Sequence, residues 1–520
     1  MNNTIAYLEN TILKYNALDM LKAILYESFW NPENLVNVEI LGNTIINKGL
    51  VRGKYDYSES GHNRLIRYSR EIKLNHLKHF RDTIENNEFS EKEFSKFYIE
   101  MVAVLKHQLL RGEVYIQQSI EVAKELYSAL DEEFRIIYGF CFQDVLRIFI
   151  WLYRHYKNLC EDYPLDNTEK KDIPQIPFEI DINRLKARFG EDIVEKIISK
   201  FGTTLDSENE QQNSSQIANL LLMFPIVKIK DKIIIPTIRT FIHNLFKFFH
   251  FDFVSDVPLV ADKDQNKLIK EKYNKLRGEL LEKLTMRYLG RLFKEENIYQ
   301  SLKYGRDNEA DITVAEKQNI ILAECKGKIL TLQANQGNYA KIERDFCMAI
   351  QDAYKQASRT ERAILDEETF RDETGYAFQF SKPQNIYKLC ITLDTFGNLS
   401  TQLQFLLKKD QEHYPLACNI FDLDIITREC INKDEFFEYL EMRSKEHDSN
   451  NSVDELDYFM QFKMRKRMEE NQFSETDLIV DTFCKMVSSN GNKPIVVGYA
   501  NELDKKYETV SMDYLLSCDL

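Results

Sequence analysis

Residues 308–328, NEADITVAEKQNIILAECKGK, constrain this chain more than any other stretch. Two runs rich in Ile, Val, Thr and Ala, 310–315 and 320–326, flank a polar turn at 316–319 and read as an antiparallel hairpin. With the turn there, Ala315 faces Ile320 and Asp311 faces Glu324. Residues directly opposite share a sheet face. Alternation brings Lys326 to the same face and turns Ala323 and Cys325 toward a core on the other. One face then carries two carboxylates and an ammonium. Opposed carboxylates repel unless a positive charge joins them. Oxygen ligands alone select Mg2+ or Mn2+ over zinc. A lysine beside such a cation is suited to holding an attacking water or to stabilising charge on a phosphate.

Around the hairpin, helices alternate with strands. Expected are a helix over 268–295, the two hairpin strands, a helix over about 339–362, and strands over 386–393 and 416–423 with a helix near 399–408 between them. That order makes a mixed sheet flanked by helices. The first 160 residues read as helices, for instance 5–29, 64–85, 93–110 and 134–156, from apolar spacing of three and four. A polar stretch with prolines, EDYPLDNTEKKDIPQIP at 161–177, reads as a linker. A small mixed α/β module follows to about 260, with a hairpin over 226–235 that turns near Lys230–Asp231 and a polar loop at 205–216. The α/β domain occupies 261–430, and a helical tail broken by a polar loop at 447–455 occupies 431–520.

Composition removes several alternatives. The net charge is −14, so contact with nucleic acid must come from a local patch rather than bulk charge. Nine cysteines with no CxxC pair argue against a disulfide framework, a zinc site or an iron–sulfur centre and suit a reducing cytoplasm. No run of about 18 apolar residues predicts a membrane span. The first residues lack the basic start and apolar stretch of a secretory signal. No P-loop, HExxH or GxSxG pattern is present. His76 and His79, spaced like ligands but without a third, read as a solvated helix. The basic run KMRKR at 463–467 reads as a solvated helix face, and Phe246, Phe248 and Phe249 as core.

Asp, about a dozen residues, then Glu-x-Lys at the end of an apolar strand resembles the PD-(D/E)xK nucleases, the restriction-endonuclease-like fold. The motif here is Glu309-Ala310-Asp311 followed by Glu324-Cys325-Lys326, with Ala310 where the family's name has proline. The resemblance covers roughly 265–430 and does not reach the N-terminal half. It implies that Asp311 and Glu324 hold Mg2+ or Mn2+ and that Lys326 serves the chemistry. It also implies a metal-facing glutamate on the preceding helix. There Leu276, Leu280, Leu281, Leu284, Tyr288 and Leu292 form an apolar stripe. Glu282 lies at its edge and Glu279 points away, so Glu282 is the expected third ligand. On the following helix Gln351 is the expected catalytic glutamine, with Lys355 and Gln356 beside it as candidates.

The implied activity is metal-dependent phosphodiester hydrolysis, with DNA expected as substrate ahead of RNA. By analogy of architecture it suggests bacterial defence against phage, with the helical half receiving a protein partner or activator. The alternatives are an RNase on the same site and a nuclease fold used as a scaffold or regulatory subunit.

Overall fold

The computed structural model describes residues 2–30, 53–68, 114–205, 224–243, 245–335, 338–409, 413–445, 455–469 and 506–511, with shorter pieces in 41–46 and 90–99 and isolated positions such as 221 and 503. The expected helices at 64–85 and 93–110, the loops at 205–216 and 447–455, and His76 and His79 lie wholly or largely outside the described residues. The chain forms two compact units. One comprises 1–88, 107–273 and 507–520, the other 89–106 and 274–506.

The first unit is built on helices α1 (Ala17–Trp30), α2 (Ile116–Ser128), α3 (Phe142–Asp162) and α4 (Ile182–Phe189). The expected helix at 5–29 is two, because Asn16 accepts the Leu18 N–H at 2.8 Å and starts α1 afresh after Asn2–Ile12. The one at 134–156 is also two, Asp131–Ile137 and α3, broken where Gly139 takes φ 77°. Four short strands, β1 (Ile180–Asp181), β2 (Gly202–Thr204), β3 (Ile226–Ile229) and β4 (Lys232–Ile234), pair in the order β1-β4-β3-β2. The β3–β4 turn falls at Lys230, φ 56°, as expected. The stretch 161–177 is no free linker. Ile173 and Ile176 are buried, and the Pro174 carbonyl accepts from Lys22. Phe249 is core, with its ring 4.7 Å from Phe134.

The second unit holds helix α5 (Lys263–Leu289) from residue 274 onward and a seven-stranded mixed sheet. Its strands are β5 (Ile298–Tyr304), β6 (Asn308–Glu316), β7 (Asn319–Lys326), β8 (Phe370–Arg371), β9 (Ala377–Phe378), β10 (Asn385–Thr392) and β11 (Leu416–Asn419), in the order β11-β10-β7-β6-β5-β8-β9. β5, β6 and β7 form an antiparallel meander, and β10 runs parallel to both β7 and β11. The crossover from β7 to β10 carries α6 (Tyr339–Phe346) and α7 (Asp352–Leu365), joined by a π-helical turn at Cys347–Gln351.

β7 lies mid-sheet and is buried from Ile320 to Glu324, which explains its continuous apolar run. On one face, Leu302, Tyr304, Ala310, Ile320 and Leu322 pack against Ala357 and Ile364. β11 stops four residues short of expectation. Asn419 accepts the Phe421 and Asp422 N–H groups at 2.9 Å each and caps α8 (Ile420–Glu429), which takes over the apolar run. Helices α9 (Lys433–Lys445) and α10 (Glu455–Glu469) follow. Within the basic run on α10, Lys463 binds Glu435 and Lys466 binds Glu438, so those cations are engaged inside the unit. Among the described residues no single helix is long and apolar enough to cross a membrane.

Candidate functional site

The β6–β7 hairpin turns through Lys317, φ 56°, and pairs Ala315 with Ile320 and Ile312 with Ala323, the register read from the sequence. The ladder ends there, and Asp311 departs from the simple pairing with Glu324. Its neighbour on the other side explains why. β5 pairs Gln300 with Ile312 and Leu302 with Ala310, but Ser301, at φ 51°, breaks the pairing opposite Asp311. The register is the same on either side of Ser301, so this is a local distortion of the backbone with no inserted residue. β6 is therefore unpaired on both sides at Asp311, and its carboxylate swings into the mouth of the fork.

There Asp311 Oδ2 accepts the Cys325 backbone N–H at 2.7 Å and lies 3.7 Å from Lys326 Nζ. Asp311 Oδ1 accepts from Gln356 Nε2 at 3.1 Å, and Lys326 Nζ donates to Gln356 Oε1 at 2.8 Å. Gln356 Nε2 also reaches the Glu309 carbonyl at 3.1 Å. Asp311, Lys326 and Gln356 thus close a ring, and α7 supplies its third member.

Glu324 lies beside Asp311 and Lys326 but outside that ring. It is 0% exposed, and neither carboxylate oxygen makes a well-aligned hydrogen bond among the described residues. Burial, and then the Asp311 charge, push its carboxyl well above the ordinary carboxylate range. Lys326 pulls the other way, and close approach to Asp311 acts in both directions, its side chain raising the carboxyl and its backbone lowering it. Glu282 is half-buried on α5, accepts from Gln300 Nε2 at 3.3 Å, and is raised by burial first and by Asp311 second. Glu279 is exposed beside Lys275 at 3.6 Å, so the helix phase read from the sequence holds in the structure. α5 meets β7 through Thr285 Oγ1, 3.5 Å from Cys325 Sγ.

Gln351 is a correction. It is buried away from this ring, donating to the Lys408 carbonyl at 3.0 Å and accepting the Lys408 N–H at 2.7 Å. Both ends of its amide are occupied as a tether. The glutamine that reaches Asp311 and Lys326 is Gln356. Lys355 is exposed and stands near Asp352. The reading of the sequence missed Gln300 and Ser301 altogether, because it did not place the strand that carries them.

Among the described residues no three His, Cys, Asp or Glu side chains stand together as a metal cage. The chemistry of the donors nevertheless suits a hard cation. Two carboxylates lie close enough to raise one another's cost, and one has both oxygens buried without a well-placed donor. A buried polar atom without a partner is uncommon in a folded protein and calls for an explanation.

No family model matches this chain, and no curated protein or solved structure matches it either.

Proposed function

We propose that the second unit is a metal-dependent nuclease of the restriction-endonuclease-like kind, hydrolysing phosphodiester bonds with DNA as the first candidate substrate. One observation carries the reading: the buried Glu324 carboxylate without a well-placed hydrogen-bond donor, beside Asp311, with Lys326 two residues further along the same strand. Asp311 and Glu324 would hold Mg2+ or Mn2+, with Glu282 reached through Gln300's side of the fork. A cation bound there supplies Lewis acidity toward water and charge neutralisation at a phosphate.

The chain's own residues do the rest. Glu324 would act as a carboxylate against the burial and the Asp311 charge that favour its protonated form. Gln356 fixes Lys326 Nζ on the Asp311 side, where the ammonium can donate to an attacking water or to a phosphate oxygen. The backbone N–H of Cys325 keeps Asp311 turned into the fork. A role in phage defence, with a partner or activator acting on the first unit, is the corresponding biological proposal and rests on analogy of architecture.

A second reading has one observation in its favour. The closed ring of Asp311, Lys326 and Gln356, with no three-residue metal cage among the described residues, suits a nuclease fold kept as a scaffold. Incubating the full chain with plasmid DNA and with RNA, in Mg2+, Mn2+ or EDTA, separates the readings. Cation-dependent cleavage of DNA supports the first, cleavage of RNA alone moves the substrate, and no cleavage of either leaves the scaffold.

A further inference from the structure

Solvent-facing positions of α3 and α4 in the first unit gather cations around one tryptophan. Arg184 and Arg188, one turn apart on α4, place their guanidinium carbons 5.4 and 5.6 Å from the centre of the Trp151 ring. His155, one turn beyond Trp151 on α3, lies parallel to the indole at 5.4 Å and 5°. Phe189 braces Trp151 edge-on at 5.9 Å. Arg147, one turn before Trp151, is exposed, as are both α4 arginines.

The carboxylates on and beside these helices are used elsewhere. Asp144 accepts the Cys141 N–H at 3.0 Å, and Asp181 accepts the Asn183 N–H at 2.7 Å. Glu191 and Glu195 both hold Lys186, and Asp192 holds Lys196. Among the described residues no carboxylate forms an ion pair with Arg147, Arg184 or Arg188. In a chain of net charge −14, three exposed arginines with no carboxylate ion pair among the described residues do not follow from composition. The cluster's own field is visible in His155, whose imidazole is pushed below its ordinary value by burial and then by the Arg184 charge.

We propose that this face, centred on Arg184 and Arg188 over Trp151, binds the phosphate backbone of a nucleic acid. A guanidinium stacked on an indole keeps its N–H edges turned outward and loses little further freedom when it grips an anion. Its planar fork fits phosphate oxygens in pairs. A lipid surface fits less well, because the tryptophan is half-buried under its stacking partners and is not presented for insertion. An acidic peptide would need only charge, which the stacked geometry exceeds. The proposal rests on the nuclease reading for the identity of the polyanion.

The test measures binding without cleavage. Full-length protein in EDTA is titrated against fluorescently labelled single-stranded DNA, single-stranded RNA and duplex DNA over a range of KCl concentrations. Wild type should bind at least one of them. The double variant Arg184→Gln/Arg188→Gln should bind roughly a hundredfold more weakly, since each of the two charge-assisted hydrogen bonds is worth about tenfold. Its plot of log affinity against log salt should be shallower by roughly 1.4–1.8, about 0.7–0.9 for each phosphate no longer neutralised. Trp151→Leu should weaken binding while keeping the slope, because the charges remain. Arg147→Gln, on an exposed position, should give a smaller loss in the same direction should Trp151→Leu fold poorly. Patch-dependent binding with no cleavage in the plasmid assay would keep this surface and sink the nuclease reading. Unchanged affinity and slope in the double variant overturns the proposal, as does wild-type binding to anionic vesicles or polyglutamate but to no nucleic acid.

Discussion

Glu324 and Glu455 are both deeply buried in the second unit, and they differ in every other respect. Glu455 accepts from Arg443 Nε at 2.7 Å and Nη2 at 3.0 Å and from the Tyr439 hydroxyl, while Tyr458 stacks on the guanidinium at 4.0 Å. Glu324 has no well-aligned donor among the described residues and sits near a second carboxylate. A buried carboxylate with both oxygens paired to a counter-ion belongs to the framework. A buried carboxylate without donors costs stability, so its retention points to a task that needs it. Identical substitutions at the two positions should therefore behave in opposite ways.

The largest effect is expected at the framework. Glu455→Gln leaves Arg443 charged and buried without its counter-ion, which should destabilise the second unit by about 3–5 kcal/mol, read from denaturant or thermal unfolding. Glu324→Gln in EDTA should leave the unfolding midpoint unchanged or raise it, because it removes a penalty rather than a partner. A loss at Glu324 as large as that at Glu455 would erase the distinction between them.

Lys326→Ala comes next. Cleavage should fall roughly 10²–10³-fold, the scale of one electrostatic donor, while cation affinity holds or rises because the carboxylates lose a competing charge. Lys326→Arg should rescue poorly, since a planar fork does not replace a compact ammonium. Normal cleavage by Lys326→Ala would make the Glu-x-Lys pattern a coincidence of strand composition.

A smaller effect is expected from pH. The Glu324 carboxyl is held above its ordinary value of 4.5, so the folded protein keeps a proton that the unfolded chain has already released. That contribution is complete below the unfolded value and is lost as pH rises through the folded one, at up to about 1.4 kcal/mol per pH unit. Metal-free wild type should therefore lose stability as pH climbs above about 4.5 relative to Glu324→Gln. Parallel curves for the two proteins would show that Glu324 is not held protonated.

The smallest effect separates two helix positions. Glu282→Gln should weaken the cation dependence of cleavage modestly, and Glu279→Gln should leave it alone, because only Glu282 is half-buried toward Asp311. The reverse order would mean that α5 presents another face to the fork.

Much of this contrast was legible in the sequence where one physical signal dominated. The β6–β7 register follows from two apolar runs and a short turn, because a slip of one residue would turn every side chain over. The Glu282 phase follows from an unbroken apolar stripe on α5. Legibility failed where a local irregularity intervened. The π-helical turn at Cys347–Gln351 interrupts the helix there, and on the regular turn that follows Gln351 and Gln356 point to different sides, a choice that the helical period alone does not make. This leaves Gln351 tied to Lys408 and brings Gln356 to the site. Ser301 bends the meander through a conformation that no residue-type preference announces, so the direct Asp311–Glu324 pairing gives way to a fork. β8 and β9, two residues each, carry no period to read. That Glu324 is buried with no well-aligned hydrogen bond among the described residues was not legible, since it depends on how the whole unit packs around β7.

The central claim is that Glu324 and Asp311 form a site for a hard cation, and calorimetric titration with Mn2+ near pH 7 tests it most directly. Wild type should bind, and Glu324→Gln should not. Absence of binding by the wild type, or equal binding by Glu324→Gln, would contradict the account.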